Sequence, residues 1–278
     1  MKLSRSSYYY QSKRENNDRE QEDLALCDKI EYLQANYSCY GYRTIKPQLQ
    51  AVYGIVVNGK RIKRVMREHG LFWKAKLKFV RTTDSKHSFR IYPNLVQCKE
   101  LTGINQVWAA DITYIRIHTG FVFLAILLDV YSRRIVGWAL SKRIDHRLTV
   151  AALTMALAER KPGPGLIHHS DQGVQYACQD YVDILTKHNI QMSMASRGNP
   201  YQNAYAESFM KTLKKEEVYL WEYETFEDVV ERIPEFIEEV YNRKRVHSGI
   251  NYLTPEKFEI NLCNEMGRNQ SGQATLIL

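Results

Sequence analysis

Between Gln106 and Leu213 the apolar residues switch repeatedly between a period of two and a period of 3.6, and this limits the fold more than any other feature of the chain. Gln106–Ile117, Phe121–Val130 and Arg134–Leu140 read as strands. The turns joining them are too short for crossovers, so the three predict an antiparallel meander. Asp145–Arg160 is an Ala/Leu-rich helix, ended by Lys161-Pro-Gly-Pro-Gly165. The short strand Leu166–His169 is then expected to return parallel to the meander. Tyr181–Asn189 reads as a helix, Ile190–Ala195 as a strand, and a further helix follows. Asn199 is its expected N-cap, with Pro200 in the first helical position. The order β-β-β-α-β-α-β-α predicts an α/β domain with a mixed sheet of five strands and flanking helices.

Two acids stand where acids are costly. Asp111 interrupts Val-Trp-Ala-Ala-Asp-Ile-Thr-Tyr-Ile, and alternation places it on the face of Ala109, Thr113 and Ile115. A carboxylate inside such a strand is paired or binds metal. Asp171 follows Leu-Ile-His-His-Ser at the end of a strand, where α/β sheets present ligand groups. A third acid, Glu207, lies on the last helix of the pattern. Ala206, Phe209, Met210 and Leu213 form the apolar side of that helix, and Asn203, Glu207, Lys211 and Lys214 form another stripe. Taken alone, Glu207 and Lys211 read as an ordinary solvated i,i+4 pair. If the first and fourth strands are neighbours and the helix packs across them, Asp111, Asp171 and Glu207 meet. Three oxygen ligands without Cys or a His cluster suit Mg²⁺ or Mn²⁺, and two such ions can drive an in-line phosphoryl displacement. Lys211 and Lys214 would hold the phosphates of the DNA being cut, and Asn203 on the same stripe is a further candidate DNA contact.

The charge is uneven. Residues 1–100 carry 20 Lys+Arg against 10 Asp+Glu, whereas the rest is slightly acidic. Such asymmetry points to an anionic polymer as partner. In the basic third, Asp18–Tyr37 reads as a helix with Leu26, Ile30 and Leu33 inward. A second helix runs from Thr44, as N-cap, to Gly54, with Pro47 in its first turn. Asn58 caps a third helix that closes at Gly70. Ile62, Val65 and Met66 line one face of it, and Lys60, Arg61, Lys63, Arg64 and Arg67 the other. That is the outline of a helix-turn-helix, which makes Lys60, Arg61, Arg64 and Arg67 candidate DNA contacts. Phe72, Trp73, Phe79 and Phe89 are interleaved with further cations. Five scattered cysteines without a CxxC pair read as reduced thiols and imply a cytoplasmic protein. The apolar run Phe121–Leu128 is too short to span a membrane, and no amphipathic membrane anchor is evident.

The motifs Trp108-Ala-Ala-Asp-Ile-Thr-Tyr114, Leu128-Asp-Val-Tyr-Ser-Arg133, His169-Ser-Asp-Gln-Gly-Val-Gln-Tyr176, Asn199-Pro-Tyr-Gln-Asn-Ala-Tyr-Ala-Glu207 and Tyr241-Asn-Arg-Lys-Arg-Val-His247 together resemble bacterial insertion-sequence transposases of the OrfB type. Their catalytic core is similar to that of retroviral integrases. The 35 residues between Asp171 and Glu207, and a Lys seven residues after Glu207, fit that family. The resemblance implies an RNase H-like fold and Asp111, Asp171 and Glu207 as catalytic metal ligands. It further implies Mg²⁺-dependent cleavage and joining at the element's ends, with a 3′-OH as nucleophile. Terminal inverted repeats and target DNA would be the partners, on a homo-oligomer that pairs two ends. It also suggests fusion to an upstream helix-turn-helix reading frame, which fits the abrupt start at Ser4–Tyr10. Alternatives are a DNA-binding regulator without catalysis and a nuclease of the same fold.

The organisation read from this is a basic DNA-binding region over 1–100, helix-turn-helix-like at about 38–70 with a basic linker at 71–100. An RNase H-like core follows over 101–220, then a helical extension over 221–262 and a frayed tail over 263–278. Asp129 reads as a turn cap. His168 and His169 are not a zinc pair, because neighbouring strand residues face opposite ways. Arg243–Arg245 with His247 form a second basic cluster.

Overall fold

The computed structural model describes residues 16–36, 40–72, 89–197 and 199–273. The features read at Ser4–Tyr10 and at Trp73 and Phe79 lie outside them. The chain divides into two compact units between Lys74 and Ala75. Among the described residues no helix is long and apolar enough to cross a membrane.

The first unit holds α1 (Asn16–Asn36), α2 (Tyr42–Tyr53) and α3 (Gly59–Glu68). Its core is the expected one: Leu26, Ile30 and Leu33 meet Ile45 and Leu49 of α2 and Ile62, Val65 and Met66 of α3. Asn58 caps α3, its side chain accepting from Lys60 N–H at 2.9 Å. Gly54, at φ 67°, ends α2. The start of α2 differs from expectation. The Gly41 carbonyl accepts from the N–H groups of Thr44 and Ile45, so the helix begins at Tyr42 and Thr44 is inside it. Pro47 therefore stands in the second turn, where the i−4 hydrogen bond is forgone. Buried Tyr40, whose carbonyl accepts from Gln34 Nε2, fixes the earlier start.

The second unit is built on β1 (Val107–Ile117), β2 (Gly120–Asp129), β3 (Ile135–Ser141), β4 (Ile167–Ser170) and β5 (Gln191–Met194). The sheet order is β3-β2-β1-β4-β5. β1 pairs antiparallel with β2 and parallel with β4, and β2–β3 and β4–β5 are antiparallel and parallel respectively. This is the mixed sheet of the RNase H-like fold. β1 is central and covered on both faces. On one face Ala109 and Ile115 pack under α7 (Ala204–Leu213) and the C-terminal helices, through Phe209, Leu213, Ile233 and Phe236. On the other, Trp108, Ala110 and Leu127 pack under α4 (His146–Arg160) and α6 (Gln179–Lys187), through Ala152, Ala156, Tyr181 and Leu185. A short helix, α5 (Val174–Ala177), lies between β4 and α6. Residues 89–100 cluster with this unit, and Leu95 N–H donates to Ser193 on β5. At the C-terminus, α8 (Phe226–Glu235) starts in a Thr225/Asp228 capping box, and a π-helical stretch over Phe236–Lys244 continues it. The last helix, α9 (Pro255–Gln273), runs on through the region expected to fray. Its residue Glu259 is buried between Arg134 and Arg160.

Candidate active site

The register of β1 against β4 sets two of the three acids side by side. Val107 pairs with Ile167, Trp108 with His168 and Ala109 with His169. β1 runs on from there to Asp111, and Asp171 follows directly on the end of β4. Both line one small cleft of about 10 Å³, with Gly173, Gln175 and Tyr176. That is room for about one water or small cation. Asp111 Oδ1 accepts from Ile112 N–H, and Asp171 Oδ1 from Gly173 N–H at 2.9 Å. Burial pushes the Asp111 carboxyl up to about 7, and the charges of Asp171 and then Glu207 push the same way. The Ile112 N–H and Lys214 oppose this. Tyr176, which lines the same cleft, has a buried hydroxyl without a hydrogen bond.

Glu207 is on α7, which packs across β1 and β2. Its charge is felt at Asp111, yet it does not line the cleft, and its carboxylate stands 3.8 Å from Lys211 Nζ. Among the described residues no three His, Cys, Asp or Glu side chains converge tightly enough to hold one metal ion. The three-way meeting expected from the sequence is therefore a pair plus a near neighbour. Glu207 has a lysine four residues on, the spacing at which helix side chains pair. The donor chemistry nevertheless fits a hard divalent cation: carboxylate oxygens, a strongly raised Asp and an unsatisfied hydroxyl round one small cleft.

The placement of α7 comes from residues that the sequence marked for other reasons. His169 Nε2 lies 3.0 Å from the Gln202 carbonyl, and Nδ1 lies 2.8 Å from Ser193 Oγ. A carbonyl only accepts, so Nε2 carries the proton and Nδ1 accepts from Ser193. Asn203 Nδ2 donates to the carbonyl of Ala110, the residue before Asp111. These two ties fix the 3₁₀ turn Pro200–Asn203 that opens α7 onto the strands carrying the acids. Asn199, expected as a side-chain cap, makes no capping bond there. Asn203→Ala should cost about 1–3 kcal/mol by leaving the Ala110 carbonyl without this donor, and a thermal melt checks this.

Several candidate contacts stand elsewhere than expected. Asn203 is buried, its Nδ2 donates to the Ala110 carbonyl and its Oδ1 has no hydrogen-bond partner. Arg61 pairs with Glu22 and Asp23 of α1, and Arg64 with Asp23 and Glu68. Burial would raise Asp23, but hydrogen bonds from Arg61 and Arg64 hold it below the usual carboxylate range. Both arginines thus clamp α3 onto α1, while Lys60 and Arg67 are exposed. Lys211 is exposed, and Lys214 sits 4.6 Å from the Tyr114 ring, its pKa lowered by burial against the opposing pull of Asp111. Asp129 is a turn cap, fully buried, accepting from Asn105, Tyr131 and Ser132 N–H. His168 is neutral, pushed down to about 3 by burial, and bonds Tyr181.

Residues 102–200 match the Integrase core domain model, residues 188–255 a second model of that description, and residues 19–79 an HTH-like domain. The insertion element IS600 uncharacterized 31 kDa protein of Shigella sonnei is 40% identical over 259 residues, covering 92% of this chain and 94% of that protein. The transposase for insertion sequence element IS904 of Lactococcus lactis is 40% identical over 74% of this chain and 82% of its own. The transposase InsF for IS3A of Escherichia coli is 38% identical over 79% and 76%. Among solved structures, the catalytic core domain of BIV integrase aligns with 59% of this chain and 99% of its own, at 17% identity and a TM-score of 0.44. On the strength of those insertion-sequence relatives, matched over most of their length, the chain belongs to the bacterial insertion-sequence transposases with an integrase core domain.

Proposed function

We propose that the chain cleaves and joins DNA at the ends of an insertion sequence, with Asp111, Asp171 and Glu207 as the ligands of Mg²⁺ or Mn²⁺. The observation that carries this is that Asp111 and Asp171 line one small cleft, where burial, with the charge of Asp171 adding to it, pushes Asp111 to about 7. Divalent ions held there, two in this reading, would activate the attacking oxygen and stabilise the leaving one in an in-line displacement. The chain's own part is positioning. β1 holds Asp111 on a rigid strand, Gly173 N–H orients Asp171, and His169 with Asn203 sets the start of the helix that presents Glu207. Lys214 and Lys211 set positive charge on the side from which a phosphate backbone would approach. In the first unit, Lys60 and Arg67 would contact DNA, and Arg61 and Arg64 only by giving up acid partners. Terminal inverted repeats and target DNA are the partners in this reading, on a homo-oligomer that pairs two ends, with or without an upstream-frame fusion.

The test supplies the element's own end as a duplex with a free 3′-OH, in Mg²⁺, together with target DNA. Joined product is expected, none with a 3′-deoxy end and none in EDTA. Cutting without any joining would move the assignment to a nuclease, and metal-indifferent binding with neither reaction to a regulator.

A further inference from the structure

On the flank of α7 away from the Glu207 stripe lies a larger cleft, of about 380 Å³. It is lined by Arg133, Tyr205, Ser208, Thr212, Arg245 and Ser248, none of which the reaction above uses. Tyr205, Ser208 and Thr212 recur at helical spacing, so the helix presents a row of hydroxyls there. Arg245 forms a two-point ion pair with Glu216, at 2.8 and 2.9 Å. Arg133 is different. Its guanidinium stacks on the Tyr205 ring at 3.9 Å, and among the described residues no carboxylate pairs with it. Its backbone is left-handed, at φ 67°, in the turn that Asp129 caps, so the side chain is aimed by a rigid corner. Gly249 lies close against it, and a Cβ there would come within 3.3 Å of the guanidinium. His247 adds a buried Nε2 that makes no hydrogen bond in the protein. Burial and then the Arg245 charge hold His247 neutral, at about 3, against a smaller pull from the Tyr241 carbonyl.

A stacked, uncompensated guanidinium facing several hydroxyls is a receptor for a phosphate oxyanion. We infer that this cleft binds a backbone phosphate of the DNA, beyond the phosphate that reacts. This rests on the proposed function above. Each strand of DNA carries a charge about every 3.4 Å along the axis, and a helix with its side chains is only about 10–12 Å across, so a backbone that reaches Glu207 and crosses the exposed side of α7 carries further phosphates to its other flank. The hydroxyl row and Arg133 would then fix the register of the strand on the helix that bears Glu207.

The test measures binding of the full chain to a mixed-sequence duplex in EDTA at several salt concentrations. Arg133→Gln should weaken binding about 3-fold or more and flatten the slope of log affinity on log salt by about 0.9, the signature of one lost phosphate contact. Arg133→Lys should retain the slope. Ser208→Glu, at an exposed position that leaves the stack intact, should weaken binding at least as much. If the unaltered chain binds the duplex but the Gln and Glu variants keep its affinity and slope, the cleft is no phosphate site and the transposase reading stands. If the unaltered chain binds no DNA, the transposase reading itself fails. A third arm adds inorganic phosphate alone. Arg133-dependent stabilisation by phosphate with an unchanged duplex slope would make this a free-anion site and overturn the DNA assignment.

Discussion

Asp111→Asn is expected to abolish strand joining, by on the order of 10³-fold, and at the same time to stabilise the metal-free protein. The loss follows from removing a charged ligand whose ion would supply several kcal/mol of transition-state stabilisation. The gain follows from the raised carboxyl. An unfolded Asp titrates near 3.9, whereas the folded one does so at about 7. Between those values the native state keeps a proton that the unfolded chain has lost, so stability falls as pH rises from about 4 to 7 and the full penalty stands above 7. An amide escapes it. Thermal melts in EDTA should therefore show the variant melting above the unaltered chain at pH 8, the two converging near pH 4. Adding Mg²⁺ should raise the melting temperature of the unaltered chain more than that of the variant, since an ion that binds only the native state stabilises it. A variant that still joins ends, or a melting difference indifferent to pH, would remove Asp111 from the role.

Gly137→Ala should cost about 3 kcal/mol or more of stability, the upper range for overpacking. Gly137 lies on β3 directly beneath α4. A Cβ there would fall 2.3 Å from the Ala152 carbonyl oxygen, 2.7 Å from Ala156 Cβ and 2.9 Å from Ala156 N. Two of these are helix backbone, which cannot rotate away as a side chain tip can. The helix would have to lift, uncovering Leu148, Leu153 and Leu157. For a unit of this size the melting temperature should drop by roughly 6–12 °C. Gly163→Ala, where nothing lies within 4 Å, is the control and should melt within about 1 °C of the unaltered chain. Equal melting of the two variants would mean that α4 does not press on β3 as described.

What could be read from the sequence was what local pattern encodes. β1 is a long strand-forming run round one intruding acid, β4 is a short buried strand that Asp171 follows, and α7 carries an apolar stripe. Their meeting follows from the parallel return after α4, which chain handedness dictates. The features that escaped depend on residues far apart in the chain. Arg61 and Arg64 look like a free basic face until Glu22 and Asp23, about 40 residues earlier, fold against them. Asn203 sits on the polar stripe of a helical wheel, yet the helix opens in a 3₁₀ turn that rotates it inward to Ala110. The left-handed corner at Arg133 has no Gly or Asn to announce it. Glu207 joins the site by its charge, and its side chain has a nearer lysine to answer.

β1 is flanked by a ladder on each side and covered on both faces. Its amides should thus be the slowest in the protein to exchange with deuterium, opening only when the whole unit unfolds. The start of α7 hangs on two side-chain tethers and should breathe far more readily. Any adaptation to different DNA geometries would then come from the glutamate's side, with the two aspartates as a fixed anvil.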